Sequence, residues 1–121
     1  MYFLRDIEGA LEDYNKLIRL DSENIELYHD RAILKSDLGD LDGALDDFNK
    51  AIELDTKLVE SYKYRALFKN NYLQDPEGAI GDLTKAIEIN PKYGGGYFHR
   101  STIRKDLGDL EGAEKDYQKY L

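Results

Sequence analysis

The chain has no cysteine, so disulfides and thiolate metal sites are excluded, and the redox character of its compartment is left open. Long apolar runs are also missing: hydrophobic stretches end after a few residues, far short of the ~20 needed to span a bilayer. The opening Met1-Tyr2-Phe3-Leu4-Arg5-Asp6 has neither the basic start nor the apolar segment of a secretory signal, and a cytoplasmic location is expected. Basic charge is scarce. The 17 Lys and Arg stand against 25 Asp and Glu, a formal net charge of −8. A surface of that sign slows the approach of polyanions, which argues against nucleic acid and anionic membranes as partners. No serine sits in a nucleophile elbow, and there is no Walker-type phosphate-binding loop. With no catalytic constellation and no cofactor motif, the expectation is a non-enzyme without cofactor or metal.

What is present suits one globular domain: 121 residues, 41% apolar and 35% charged. Four segments begin alike, at Gly9-Ala10, Gly43-Ala44, Gly78-Ala79 and Gly112-Ala113, spaced by 34, 35 and 34 residues. An interleaved series reads Tyr28-His29-Asp30-Arg31-Ala32, Tyr62-Lys63-Tyr64-Arg65-Ala66 and Tyr97-Phe98-His99-Arg100-Ser101, spaced by 34 and 35. Two interleaved series sharing one period mean that two elements alternate along the chain.

Both elements are helical by pattern. Ala44, Leu45, Phe48, Ala51 and Ile52 form one apolar stripe, while Tyr28, Arg31, Ala32, Lys35 and Leu38 share a face, as do Tyr62, Arg65, Ala66, Lys69 and Tyr72. Leu38-Gly39-Asp40 and Leu107-Gly108-Asp109 place glycine just past a helix end, where a left-handed residue is wanted. Asp75-Pro76 reads as a cap followed by proline at the first helical position. The fold expected is all-α, an α-α superhelix of antiparallel helix hairpins.

At these residues the chain resembles the tetratricopeptide repeat family along essentially its whole length. The matches are Tyr28, Tyr62 and Tyr97, then Ala32, Ala66 and Ser101, then Ala44-x3-Phe48, Ala79-x3-Leu83 and Ala113-x3-Tyr117, with Ala51, Ala86 and Pro91. The resemblance divides the chain into a partial repeat over 1–24 and repeats over 25–58, 59–93 and 94–121. Three features depart from the family pattern. Arg31, Arg65 and Arg100 replace its Leu, and Lys35, Lys69 and Arg104 its later Tyr. One extra residue falls around Gln74-Asp75-Pro76. Gly94-Gly95-Gly96 stands where a helix should start, and each interior glycine costs up to ~1 kcal/mol against alanine, so a frayed or hinge-like start is expected.

The basic residues stand at i, i+4 and would repel one another without a partner. Asp13, Asp47, Asp82 and Asp116, recurring in every second helix, supply one. The expected arrangement is an Arg–Asp ladder that fixes register, Arg65 pairing with Asp47 or Asp82. The alternative is an anion site, although nothing Gly-rich faces it. His29 and His99 lie two repeats apart, ~16 Å or more at the usual helix spacing, too far to share a metal, so groove-lining or surface roles are expected. Tyr14, Tyr28, Tyr62, Tyr97 and Tyr117 occupy the motif's aromatic slots and are expected mostly in the core.

The resemblance implies a concave groove, lined by the first helix of each repeat, that grips a partner segment. Its lining here would be Glu26, His29, Ile33, Ser36 and Asp37; Glu60, Lys63, Leu67, Asn70 and Asn71; and Phe98, Thr102, Lys105 and Asp106. Ile33, Leu67 and Phe98 would be exposed anchors. The partner expected is a protein or peptide segment, neutral to mildly basic, because Lys63 and Lys105 face Glu26, Asp37, Glu60 and Asp106. The Lys/Asn/Arg clamp by which some family members hold acidic carboxylate-ended peptides is replaced by His29, Ile33, Tyr64, Gly95 and His99. At the ends, the leading helix is cut to Met1-Tyr2-Phe3-Leu4, and the last stops at Leu121 without a polar cap, leaving Tyr117, Tyr120 and Leu121 apolar. A piece of a longer array, or a homo-oligomer formed through open ends, is expected. The functional expectation is an adaptor or scaffold; the rivals are a self-associating structural protein and an accessory domain of a larger enzyme.

Overall fold

A computed structural model describes residues 4–121, with the side chains of Leu4 and Arg5 left aside. Among the described residues there are seven helices and no strand: α1 Leu4–Leu20, α2 Ile25–Leu38, α3 Leu41–Leu54, α4 Val59–Asn71, α5 Pro76–Ile89, α6 Gly94–Asp106 and α7 Leu110–Tyr120. The shortened leading helix expected at Met1-Tyr2-Phe3-Leu4 lies outside the described residues, apart from the start of α1 at Leu4. The helices form two compact units, Met1–Thr56 and Lys57–Leu121.

In the first unit α2 packs against both α1 and α3. Small residues where the helices cross, Ala32, Ala44 and Ala51, are inaccessible to solvent and let the axes approach. Ile18, Tyr28 and Ala51 form a core cluster, with Ile25, Leu27 and Leu54 packed on it. In the second unit α4 packs on α5, α5 on α6 and α6 on α7, with a lighter contact between α4 and α6. Ala66, Ala79, Leu83 and Ile103 form its core cluster, with Ile80 packed against them.

The junctions carry much of the definition. Gly39 (φ 85°) and Gly108 (φ 90°) take the left-handed conformation that glycine adopts without strain. At the first, the Gly39 N–H donates to the Ser36 carbonyl at 3.1 Å and the Asp40 N–H to that of Lys35 at 2.9 Å. Gly108 and Asp109 repeat this on Lys105 and Arg104, at 3.0 and 2.9 Å. The junction with the extra residue has no glycine. There Gln74 takes φ 53°, and the Asp75 N–H reaches back to the Lys69 carbonyl at 2.9 Å. A left-handed non-glycine residue costs about 1 kcal/mol or more.

Each of these aspartates also opens the next helix. The carboxylates of Asp40, Asp75 and Asp109 accept from the N–H groups of Gly43, Gly78 and Gly112 at 3.0, 2.9 and 3.0 Å, caps worth ~1 kcal/mol apiece. Pro76 takes the first helical position, as its sequence context implied. The glycine three residues on has a steric cause, since a Cβ on Gly43, Gly78 or Gly112 would run into the cap carboxylate.

Gly94-Gly95-Gly96 differs from expectation. α6 is helical from Gly94, and the glycines provide space. A Cβ on Gly96 would lie 2.8 Å from Ile87 Cγ1 and one on Gly95 3.0 Å from the Tyr93 ring, both tight, whereas one on Gly94 would make an ordinary contact with the Tyr120 ring at 3.5 Å. The helix start is held by close packing.

Candidate partner-binding site

The basic residues on first-type helices are bound to aspartates. Arg31 donates from Nε and Nη2 to the two Asp47 oxygens at 2.8 and 2.7 Å, and Lys35 Nζ stands 3.1 Å from Asp47 Oδ2. Arg65 holds Asp82 the same way at 2.9 and 2.6 Å, with Lys69 at 3.1 Å. Arg100 holds Asp116 at 2.9 and 2.7 Å, with Arg104 at 2.8 Å. All three aspartates are buried, at most 6% exposed. One carboxylate between two cations removes their repulsion, and the hydrogen bond to Asp47 pushes the Arg31 pKa up. Each guanidinium also lies over the tyrosine three residues before it, 5.7 Å from Tyr28, 6.0 Å from Tyr62 and 5.8 Å from Tyr97. The fourth aspartate, Asp13, is exposed and makes no ion pair among the described residues, because no described first-type helix precedes α1.

Arg31 and Arg100 each also reach a third partner, on the preceding helix. Arg31 Nη1 donates to Asn15 Oδ1 and Arg100 Nη1 to Thr84 Oγ1, both at 3.0 Å.

In the first unit, Glu26, Ile33 and Asp37 are exposed, Ile33 by 42%. Ile33 and Asp37 border a shallow cleft of about 290 Å³ with Ala10 and Tyr14 of α1. His29 does not line a surface: it is 6% exposed and has its own partners. With Ala32 and Ser36 it stands at i, i+3 and i+7, so all three share one buried face of α2.

In the second unit, Glu60, Lys63, Leu67 and Asn70 on α4 are half-buried. Leu67 is therefore less open than an anchor was expected to be. Lys63 Nζ lies over the Tyr64 ring at 4.6 Å, and Asn70 Nδ2 donates to Asn71 Oδ1 at 3.3 Å. On α6, Phe98, Thr102 and Lys105 are exposed, Phe98 by 40%. These three come together along an open groove of about 600 Å³ between α6 and α7. α7 contributes Leu110, Ala113, Glu114 and Tyr117 to it, a wall that the reading of first helices alone overlooked. Its signals were Glu114, where Leu45 and Ile80 stand in the other repeats, and the apolar end of α7. Tyr117, expected in the core, is exposed. It lies 6.0 Å from Tyr120, whose ring is 5.0 Å from that of Phe98, so three aromatic rings line up at this end of the hairpin.

Burial, helped by the nearby Lys63 charge, lowers the His99 pKa from its ordinary value. Its ring meets Phe98 edge-on at 5.3 Å. Burial, with Glu60 and Tyr64 adding to it, pushes the Tyr93 phenol up to about 12. Among the described residues, no three His, Asp or Glu side chains converge as metal ligands, and no helix is long and apolar enough to cross a membrane.

A tetratricopeptide-repeat family profile matches residues 25–58 and 95–121, half of the chain. No curated protein sequence matches. Among solved structures, that of MamA superposes with a TM-score of 0.77 at 26% identity, over 95% of this chain and 67% of that one. The first TPR of Spaghetti (RPAP3), solved bound to the HSP90 peptide SRMEEVD, gives 0.70 at 26% identity over 80% of this chain and 76% of that one. A tetratricopeptide repeat protein from Parabacteroides merdae gives 0.79 at 24% identity, and the chain spans 44% of its length. Profile, period and helix hairpins agree: the chain belongs to the tetratricopeptide-repeat family.

Proposed function

We propose that this chain is an adaptor or scaffold that holds a segment of another protein against the exposed faces of its first-type helices. Members of the family typically serve as non-enzymatic protein-interaction modules, and a neighbour of this chain was solved with a peptide bound. The observation that carries the reading is the open groove of the second unit, where Phe98 stands exposed beside Thr102 and Lys105. Full burial of such a side chain is worth roughly 1.5–3 kcal/mol, and with Phe98 40% exposed a bound partner would recover a share of that. In the first unit Glu26, Ile33 and Asp37 form the corresponding surface, with His29 removed from the set. The repeat units proposed are 25–58, 59–93 and 94–121, after a partial repeat over 1–24.

The partner carries apolar anchors and neutral to basic flanks. Calorimetric titration against a basic amphipathic peptide and against SRMEEVD tests this, with only the first expected to bind. Phe98→Glu should leave the melting temperature unchanged and abolish that binding. Tighter binding of SRMEEVD, or unfolding by Phe98→Glu, would overturn the assignment. A second reading, self-association, is favoured by the exposure of Tyr117, Tyr120 and Leu121. Light scattering across concentrations separates the two, since a self-associating chain becomes monomeric when Tyr120 and Leu121 are changed to Lys.

A further inference from the structure

α6 turns two faces to two different grooves. Phe98, Thr102 and Lys105 border the one described above, whereas Tyr97, Arg100 and Arg104, at i, i+3 and i+7, floor a second one of about 760 Å³. Ile87 of α5 gives it one wall, and Lys115, Asp116 and Lys119 of α7 the other. Stacking of successive helices does not fill this basic wall. α6 seats on Ile80, Leu83 and Thr84 of α5, whereas Gly81 and Lys85, the counterparts of Lys115 and Lys119, stay exposed beside it.

The groove is basic in an acidic molecule. Arg100, Arg104, Lys115 and Lys119 meet only two carboxylates there, Glu114 and Asp116, in a chain of net charge −8. Two differences between repeats produce this. Lys115 stands where the first unit has Asp46, and Arg104 where the earlier rungs have Lys35 and Lys69. Each of those lysines spends its one nitrogen on its aspartate. Arg104 binds Asp116 through Nη1 and lies 3.8 Å from Asp109 through Nε, which leaves Nη2 without a partner among the described residues. Lys119 makes no ion pair among the described residues. Lys115 has only an exposed pair with Glu111 at 3.4 Å, of the kind that water and ions readily displace.

We infer that this second groove binds a phosphate monoester whose organic part is apolar, such as an aryl phosphate. The free guanidinium edge of Arg104 and the ammonium groups of Lys115 and Lys119 hold the phosphate oxygens, donors that suit a compact dianion. The organic group lies against Ile87 and the Tyr97 ring. The charge of the whole chain opposes polyanions, but salt screens distant charges over roughly 10 Å at 0.1 M. A single phosphate therefore responds mainly to the cations beside it. The inference does not rest on the peptide-binding function proposed above, because it uses another face of α6.

The test is an NMR titration of the full, isotope-labelled chain with phenyl phosphate, inorganic phosphate and benzoate. Phenyl phosphate should bind saturably in the millimolar range, shifting the Arg104 side chain and the α7 amides around Lys115 and Lys119. Inorganic phosphate lacks the apolar part and benzoate the second charge, so each should bind several-fold more weakly. A phosphotyrosine flanked by alanines separates two sources of the same chemistry. Tighter binding than phenyl phosphate assigns a modified protein, and equal binding a free phosphate ester. Arg104→Lys and Lys115→Asp install the residues that the first unit has at these places. Both should keep the wild-type melting temperature while weakening phenyl phosphate, Arg104→Lys by about tenfold. Lys119→Gln, exposed and outside the ladder, decides the matter if either of those variants loses stability. The inference is overturned if phenyl phosphate shifts nothing in α6 or α7. It is equally overturned if benzoate or inorganic phosphate binds as tightly, or if Arg104→Lys and Lys119→Gln leave the affinity unchanged.

Discussion

Asp82 accepts from Arg65 and sits within ion-pair distance of Lys69, and its side chain is only 7% exposed. Removing it leaves two cations facing each other in a half-buried site, whereas removing Arg65 leaves a carboxylate still paired with Lys69. Asp82→Ala should therefore cost roughly 3 kcal/mol, while Arg65→Met should cost about 1 kcal/mol or less. Chemical denaturation measures both, and equal losses would mean that the ladder is effectively solvated. The existence of this ladder was legible in the sequence, from like charges at i, i+4 beside a recurring aspartate, but the sequence leaves the pairing of Arg65 between Asp47 and Asp82, and the structure gives Asp82, on the helix that follows. The burial of His29 was not legible: its neighbour Tyr28 is buried too, and the width of the buried face depends on packing that one helix's pattern does not encode. His99 gives a pH test. Burial keeps its folded pKa below the unfolded value near ~6.5. As pH falls, the unfolded chain therefore takes up the proton first. The stability linked to His99 is full above that value and drains away as pH falls towards the folded pKa. The urea midpoint should drop between about pH 7.5 and 5.5, and His99→Gln should flatten that part of the profile.

At the scale of helices, type and order follow from two periodicities and from the caps, since Asp, Gly and Pro at the junctions act within a few residues of themselves. The start of α6 was misjudged because propensity treats three glycines as loose backbone, whereas the cause lies on another helix. Tyr120 occupies the place that Ala51 and Ala86 hold in their repeats, and Gly94 the place of Ile25 and Val59. A large residue on α7 is thus matched by a missing side chain on α6: a Cβ at Gly94 would already be in contact with its ring at 3.5 Å, so the branches beyond a Cβ would crowd it. Gly94→Val should be overpacked and lose about 1–3 kcal/mol. In a Tyr120→Ala background the same change should be nearly neutral, a coupling well above ~0.5 kcal/mol in a double-mutant cycle. Additive losses would show that the two sites do not share space.

For the whole molecule, the charge of −8 sets the terms on which partners arrive. A basic segment is drawn in by a field that salt screens over roughly 10 Å at 0.1 M. Stopped-flow association of a basic partner should slow about tenfold between low and high ionic strength, with dissociation changing little. A salt-independent association rate would place the contact on neutral surface. Composition made the sign of this field plain. The wall that α7 gives to the groove was harder to see, because Tyr117 fits the family's core slot and its exposure follows from what does not cover it.

Asp40, Asp75 and Asp109 each end one helix with an N–H and begin the next with a carboxylate. Every bond involved joins residues at most six apart, and the Arg–Asp pairs that lock each hairpin span only 16 or 17 residues. Little chain must be searched before a hairpin is complete, so the loop-closure penalty is small and the contact order low. Such hairpins should assemble on the microsecond-to-millisecond scale typical of helical proteins. Asp75→Ala, which loosens a turn while leaving the core intact, should slow that step more than it speeds unfolding.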